Sequence, residues 1–314
     1  IKFMAENNLK KITIDAVIPW VDGNDKNHQL KMIPYLDDKS IINSEKFRTR
    51  FDHVNEIEFA INSILTFAPF IRTIFIVTDD QIPQFLNNTE VAKKISIIDH
   101  KIIFAGYEKY LPTFNNRPIE TCIHRIPDLA EHFIYFNDDT FLINPTKPDD
   151  FFINGLPVLR GKWTKFDEDK IKSIFKAPKK GHKTAQQQAA KKVGFKRYFR
   201  FRHTPHPMRK SIFENYFEEH KEIFIENIKY RFRSPNQFTP QGLANHIEIK
   251  NKTCFLKKEL QLLYFRSYKK PLFWYRYKFN NINTNYLFLG LQSLDRCEPK
   301  ILQFLLNWLK NKIT

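Results

Sequence analysis

Two rhythms of apolar positions alternate over the first 160 residues. KITIDAVIPW (11–20) is a β-branched run that gives way to the polar VDGND (21–25), the pattern of a buried strand ending in a loop. Residues 53–68 place Val54, Ile57, Ile61, Ile64, Leu65 and Ala68 at helical spacing. Asp52 is the predicted N-cap of that helix, and Pro69 lies just beyond its end. RTIFIVTDD (72–80) predicts a second strand closing on carboxylates, and ISIID (95–99) a third. PIETCIHRI (118–126) predicts a helix opened by Pro118 and stopped by Pro127. HFIYFNDDTFL (132–142) reads as an apolar strand broken by Asn137-Asp138-Asp139. Strand–helix alternation predicts an α/β core with a mostly parallel sheet flanked by helices. Ligands of such sheets sit at the carboxyl ends of strands, where three of these runs become acidic.

Beyond about residue 160 the rhythm changes. Residues 170–202 are basic and poor in large apolar side chains at their centre. Segments 208–228 and 299–313 predict helices, and 251–268 predicts strands. The expected organisation is a nucleotide-sugar-binding core over 1–160, a basic, mobile insertion over 161–202, and a more helical part over 203–314 that completes the site.

Charge narrows the partners. The 314 residues hold 51 Lys+Arg against 34 Asp+Glu, a net +17. Fourteen Lys and Arg, and no Asp or Glu, fall between Lys170 and Lys210. Such a balance favours anionic partners: an acidic polymer, a nucleotide-sugar or an anionic membrane surface. Zinc-finger spacing and stacking-sheet motifs are absent, so nucleic acid is not expected. Three distant cysteines, Cys122, Cys254 and Cys297, form no disulfide framework and point to a reducing compartment. No 18-residue apolar run predicts a membrane-spanning helix, and no signal-peptide pattern is read.

Familiar catalytic signatures are missing. Five residues, not four, separate Gly155 from Gly161, so no P-loop forms; GxGxxG, HExxH and GxSxG do not occur. Asn137-Asp138-Asp139 remains the sharpest local signal. Adjacent carboxylates after a buried strand are unfavourable unless a cation or donors compensate, which points to Mg²⁺ or Mn²⁺ on diphosphate oxygens. The same tripeptide also suits a turn that caps the next element. His203 and His206, held by Pro205 and Pro207, are candidates for a general base or a phosphate contact, or are hydrogen-bonded loop residues. Arg231 and Arg233 are candidates to fork onto phosphate, or are surface arginines.

Together these segments resemble the Stealth family, which includes bacterial capsular polysaccharide phosphotransferases and the lysosomal-targeting N-acetylglucosamine-1-phosphotransferase. IDAVIPWVDGND (14–25) resembles the family's first region. Its second is similar to 55–86, LPTFNNRPIE (111–120) and IPDLAEHFIYFNDDTFL (126–142); its third to HTPHPMRKSIFENYF (203–217) and YRFRSPNQF (230–238). The resemblance implies a glycosyltransferase-A-like fold and transfer of a sugar-1-phosphate from a UDP-sugar to a glycan hydroxyl, releasing UMP. It implies catalytic roles for Glu56, His203, His206 and Arg231 or Arg233. It further implies cofactor-binding roles for Asp22, Gly23, Asp25 and Asn137, and metal ligation by Asp138 and Asp139. Two blocks differ from the family pattern: Glu58 and Asn62 replace arginines, and Gln292-Ser293 stands where an Asn-Asp pair is usual. Glycosyl transfer releasing UDP, or a non-catalytic polyanion-binding module, therefore stay open. Capsular or lipopolysaccharide synthesis on lipid-linked acceptors implies a peripheral enzyme at the cytoplasmic face of the inner membrane.

Overall fold

The computed structural model describes residues 12–40, 44, 54–88, 90–169 and 181–314. The core elements appear in the order β1 (Ile14–Pro19), α1 (Lys26–Met32), α2 (Glu56–Phe67), β2 (Ile71–Thr78), β3 (Ile95–Asp99), α3 (His100–Ile103), α4 (Asn116–Cys122) and β4 (His132–Tyr135); the short helices α1 and α3 are not among the predicted ones. Asp52 lies outside the described residues; Asn55, at φ 60°, occupies the start of α2 without a side-chain cap bond. Such a φ is tolerated best by Asn among residues with a side chain.

Alternation within the strands explains the layers. Ile14, Ala16 and Ile18 of β1 enter one core with Ile57, Ala60, Ile61 and Ile64 of α2. Val17, between them, enters a second core with Ile119 and Cys122 of α4. β2 divides likewise, Ile74 and Ile76 to one side, Phe75 and Val77 to the other. A sheet with both faces buried must be apolar throughout, which is why β1 is buried at every position.

The strand read over 132–142 is two strands. β4 stays in the central sheet, and after Asn137-Asp138-Asp139 the chain enters a second sheet as β5 (Thr140–Leu142). β6 (Phe152–Ile153), β7 (Leu156–Arg160) and β8 (Lys162–Lys165) follow. The basic stretch contains α5 (His182–Lys192) and β9 (Arg197–Arg200), which pairs antiparallel with β8. α5 buries Ala185, Ala189, Ala190 and two glutamines, a face with no large apolar residue to announce it. Residues 170–180 of that stretch lie outside the described residues.

β10 (His206–Arg209) runs antiparallel to β4, giving the order β10-β4-β1-β2-β3, otherwise parallel. The helix expected from 208 thus begins later, as α6 (Lys210–Glu219), and breaks at His220 before α7 (Lys221–Ile228). Pro207 is compatible with an edge strand and not with a helix interior. α8 (Pro240–Asn251), β11 (Phe255–Lys257) and β12 (Leu262–Phe265) lead to α9 (Leu272–Asn280), β13 (Phe288–Leu291) and α10 (Pro299–Ile313). β12, β13 and β5 form the second sheet. α10 buries Ile301, Leu305, Leu309 and Ile313 in the α2 core. Among the described residues no helix is long and apolar enough to cross a membrane.

Candidate active site

The acidic turns after β1, β2 and β4 share one edge of the central sheet. Strand order reverses at β1, so the crevice of a doubly wound sheet opens there. Two cavities occupy it.

The first, about 850 Å³, is lined by Trp20, Asp22, Asn24, Asp25, Asn55, Glu58, Asp80 and Gln81 among others. Its walls are tied by hydrogen bonds. Asp25 caps α1, its Oδ1 accepting from the backbone of Asn27 (2.7 Å) and its Oδ2 from Gln81 Nε2 (3.1 Å). Gln81 Oε1 accepts from Asp22 N at 2.8 Å, and Asp22 Oδ1 accepts from Asn24 N at 2.8 Å. The buried Gly23 carbonyl accepts from Gln29 Nε2. Both Asp25 oxygens are therefore engaged within the protein, while the Asp22 side chain borders open space.

Asn137-Asp138-Asp139 sits where the chain passes between the two sheets. Leu291 N donates to the Asp139 carbonyl at 3.0 Å, holding the turn to β13. Burial, then neighbouring Asp139 and Glu56, push the Asp138 carboxyl well above its ordinary range. Burial also raises Asp139, against the opposing effect of His203. Glu56 is buried at the start of α2, and its Oε2 accepts from Val54 N at 2.6 Å. Among the described residues no Lys or Arg forms an ion pair with Asp138 or Asp139. No group of three or more potential ligands among His, Cys, Asp and Glu is assembled for a metal there either.

The second cavity, about 610 Å³, opens beside this turn, and its wall is cationic: Arg117, Lys183, Arg200, Arg202, Arg233 and Arg266 contribute to it, with His182, His203 and His206. Burial and the nearby Arg233 lower the Arg117 guanidinium to about 10. His182 Nε2, Thr239 Oγ1 and Gln241 Oε1 are buried in this lining with no hydrogen-bond partner among the described residues. Buried polar groups are otherwise paired, so these three atoms are available to a ligand or to water.

The two histidines are placed differently. The His203 ring lies between His182 and Tyr264, each stacked at 5.1 Å. Its Nδ1 is 3.5 Å from the Asn137 side-chain amide. Burial lowers its pKa, with Asp139 opposing. His206 lies opposite Tyr135 in the β10–β4 register and packs edge-on against Phe201 at 4.6 Å. Burial takes it down to about 3, so it is neutral at physiological pH.

The arginine pair is split. Arg233 lines the cationic cavity. Arg231 covers the Tyr35 ring at 4.6 Å and donates to the carbonyls of Lys109 and Leu111. Phe232 between them stacks on Phe114 at 5.5 Å, and the chain bends at this point. The structure thus brings together Glu56, Asn137, Asp138, Asp139, His203, His206 and Arg233. It sets Asp22, Gly23 and Asp25 around the neighbouring cavity, and Arg231 apart.

Sequence reading singled out none of Arg117, His182, Tyr264, Arg266 or Gln292 as site residues, yet all line the cationic cavity. Arg117 had a signal, since it lies within the quoted LPTFNNRPIE. Gln292 follows β13, and its Oε1 accepts from Tyr264 Oη at 2.6 Å.

Comparison with known proteins bears on the family. Residues 13–40 match Stealth protein CR1, conserved region 1, and residues 50–158 match Stealth protein CR2, conserved region 2. Capsular polysaccharide phosphotransferase fcs1 of Haemophilus influenzae is 36% identical over 235 residues, 72% of this chain and 62% of that protein. Capsular polysaccharide phosphotransferase LcbA of Neisseria meningitidis is 33% identical over 307 residues, 93% of this chain and 77% of that protein. The chain thus spans less than two thirds of the Haemophilus protein's length. The solved galactosyltransferase LgtC, with donor and acceptor sugar analogues, aligns over 95% of each chain at 11% identity and a TM-score of 0.43, too slight a likeness to bear on function. With both regions matched in order and a curated member aligned along 93% of this chain, the chain belongs to the Stealth family.

Proposed function

We propose that the protein moves a hexose-1-phosphate from a UDP-sugar to a glycan hydroxyl during capsule or related surface polysaccharide synthesis. One observation carries this reading: His203 projects beside the Asn137-Asp138-Asp139 turn into a cavity walled by guanidinium groups. Arginine forks match phosphoryl oxygens, and positioned charge is most of what phosphoryl transfer asks of a protein. The carboxylate-lined cavity, with Trp20 and Asp22, suits the hydroxyl-rich nucleoside of the donor. The stretch after residue 203 completes the site by supplying His203, Arg233, Tyr264 and Gln292.

In this mechanism the acceptor oxygen attacks the sugar-bearing phosphorus. A new P–O bond forms, the bond to the bridging oxygen breaks, and UMP departs. His203 takes the acceptor proton, held beside the turn between the rings of His182 and Tyr264. Tyr135 Oη lies 2.7 Å from Glu120 Oε1 and 3.1 Å from Asn137 Oδ1, and Asn137 Nδ2 lies 3.5 Å from His203 Nδ1. Arg233 and Arg117 face the developing charge.

The donor set fits a hard cation. Two carboxylates pushed upward by burial and mutual repulsion, with oxygen donors only, are what Mg²⁺ or Mn²⁺ takes alongside substrate phosphates. Asp138 and Asp139 would hold it, and it would supply neutralisation of diphosphate charge. In this reading the enzyme works at the cytoplasmic face of the inner membrane. α9 supports peripheral attachment there: Phe273 and Tyr277 are 72% and 70% exposed among exposed Lys269, Lys270 and Arg276.

The nucleotide released from a UDP-sugar panel with glycan acceptors decides the reaction. UMP is expected; UDP would mean glycosyl transfer, and neither, with Mg²⁺ and Mn²⁺ present, a binding module. His203→Ala should lower kcat by about 10²–10⁴-fold. His206→Ala should lower melting temperature instead, because it empties a buried site between Tyr135 and Phe201.

A further inference from the structure

We propose that the paired amino-terminal ends of α5 and α8, together with the Thr239 hydroxyl, bind the phosphoryl group in transfer, an inference that deepens the transfer reading above and rests on it. The two helices, of 11 and 12 residues, lie side by side and run the same way. The backbone N–H of Thr239 donates to the Ala185 carbonyl at 3.2 Å. One turn on, Gly242 approaches Ala189 so closely that a Cβ on the glycine would stand 3.1 Å from that of the alanine. Further on, the His246 ring meets the ring of Phe195, just past α5, at 5.2 Å. Contacts therefore advance together along both segments, from 185 with 239 to 195 with 246.

Parallel helices bring like ends together, and each carries about +0.5 of an elementary charge at its amino end. Here both ends meet one cavity. Gly181, His182 and Lys183 of α5 line it, as do Thr239 and Gln241 of α8, and Arg117 and Arg233 stand with them. Two like partial charges beside two guanidinium groups repel one another until an anion joins them. Arg117 feels that repulsion, since Arg233 adds to burial in lowering its pKa.

Neither helix is capped by its own N-cap side chain. Gly181 has none to offer. Thr239 is of a type that caps helices well, yet its hydroxyl accepts from no N–H of α8. The residue is 2% exposed, it lines the cavity, and its Oγ1 has no hydrogen-bond partner among the described residues. Gly242 leaves the hydroxyl this position, because a Cβ there would lie 2.6 Å from Oγ1. A hydroxyl donor, two uncapped helix ends and two guanidinium groups form a donor set for a tetrahedral phosphoryl group. Gln241 Oε1, an acceptor in the same lining, suits a hydroxyl of the attached sugar or a water. Of the two donor phosphates, the one in transfer belongs here. It must stand beside His203, which lines this cavity, whereas the phosphate that leaves in UMP lies toward the cavity of Trp20 and Asp22.

The test is binding without turnover. Wild type, Thr239→Val and Thr239→Ser, each with Mg²⁺, are titrated by calorimetry with inorganic phosphate, glucose 1-phosphate, N-acetylglucosamine 1-phosphate and UMP. Glucuronate is the carboxylate control. Valine keeps the shape and removes the hydroxyl; serine restores it. Thr239→Val should weaken inorganic phosphate, and any sugar 1-phosphate that wild type binds, by about 10-fold, and Thr239→Ser by no more than about 2-fold. UMP should bind all three proteins alike, because its phosphate is not the one transferred. Equal weakening of UMP and the other probes, no weakening, equal loss in both variants, or no phosphate binding to wild type overturns the proposal. So does glucuronate bound in preference to the phosphates and lost in Thr239→Val, which would assign the helix ends to an acidic sugar. Release of UDP instead of UMP in turnover would overturn the transfer reading alone, and the titrations would still decide the anion site.

Discussion

Asp15, near the amino end of β1, and Asp138 with Asp139, past the carboxyl end of β4, are carboxylates on adjacent strands of one sheet, and their surroundings are opposite. Asp15 is wholly buried and fully answered. Arg72 donates to it twice, at 2.9 and 2.6 Å, Thr73 N at 3.2 Å and Ala130 N at 2.8 Å. The Arg72 guanidinium is raised above its ordinary pKa by that bidentate bond, though burial works against it. Asp138 and Asp139 instead face each other and Glu56, and their carboxyls are pushed up. The amino edge closes a structure; at the turn after β4 the carboxyl edge leaves a repulsion that a proton or a bound cation would relieve.

The largest expected effect tests that repulsion. Asp138→Asn and Asp139→Asn keep the shape and remove a charge. Each should lower kcat/KM by at least about 10²-fold, with melting temperature held or raised as repulsion is relieved. Full activity in both, or activity untouched by excess chelator, would remove the metal role. Asp15→Asn should behave the other way. Loss of charge-assisted hydrogen bonds costs about 2–3 kcal/mol. Activity per folded molecule should be retained, and denaturant titration beside an initial-rate assay separates the two outcomes.

How much of this contrast the sequence discloses depends on range. The Asn137-Asp138-Asp139 turn is legible because three polar residues interrupt an apolar run. The division of β1 and β2 between two cores follows from period-two alternation. Tyr264 and Gln292 are not legible, since the pairing of β12, β13 and β5, across more than a hundred residues, brings them to the cavity that His203 lines. α5 hides because alanine and glutamine form its buried face. Arg200 and Arg202 read as bulk charge, because composition does not say which cations line a cavity. The fork expected of Arg231 and Arg233 fails for a local reason: the bend that seats Phe232 on Phe114 sends them apart.

Asp79 sharpens the comparison, because it lies at the carboxyl edge and is nevertheless paired. It is 3.3 Å from His28 Nδ1 and 3.2 Å from Lys31 Nζ. Burial alone would raise it; His28, His100 and Lys31 outweigh burial and bring its pKa down to about 2. Pairing, not position, should then make a carboxylate structural. Asp79→Asn should cost about 2 kcal/mol near neutrality with catalysis retained. The folded pKa lies below the ordinary 3.8, so this contribution is complete above about pH 4 and is lost as pH falls toward 2. Urea titrations of wild type and variant at descending pH should converge across that window. A gap that does not change with pH would show that Asp79 contributes by packing and not by charge.

The smallest expected effect concerns the second sheet's hold on the site. Gly290 stands on β13, where a Cβ would lie 2.6 Å from Tyr264 Cδ2 and 3.1 Å from Cε2. Those atoms belong to the ring that stacks on His203 at 5.1 Å with 16° between planes. Only a residue without a side chain lets β12 and β13 pair with the ring in this position. Gly290→Ala must move either the strand or the ring, and the ring is the softer of the two, tethered through its hydroxyl to Gln292. Displacement of a catalytic group by a fraction of an ångström should lower kcat by about 10-fold, with KM for the donor little changed. The proposed nucleoside cavity does not include this ring in its lining. An unchanged kcat would show that Tyr264 does not position the imidazole; a rise in donor KM at constant kcat would place the ring at the donor instead.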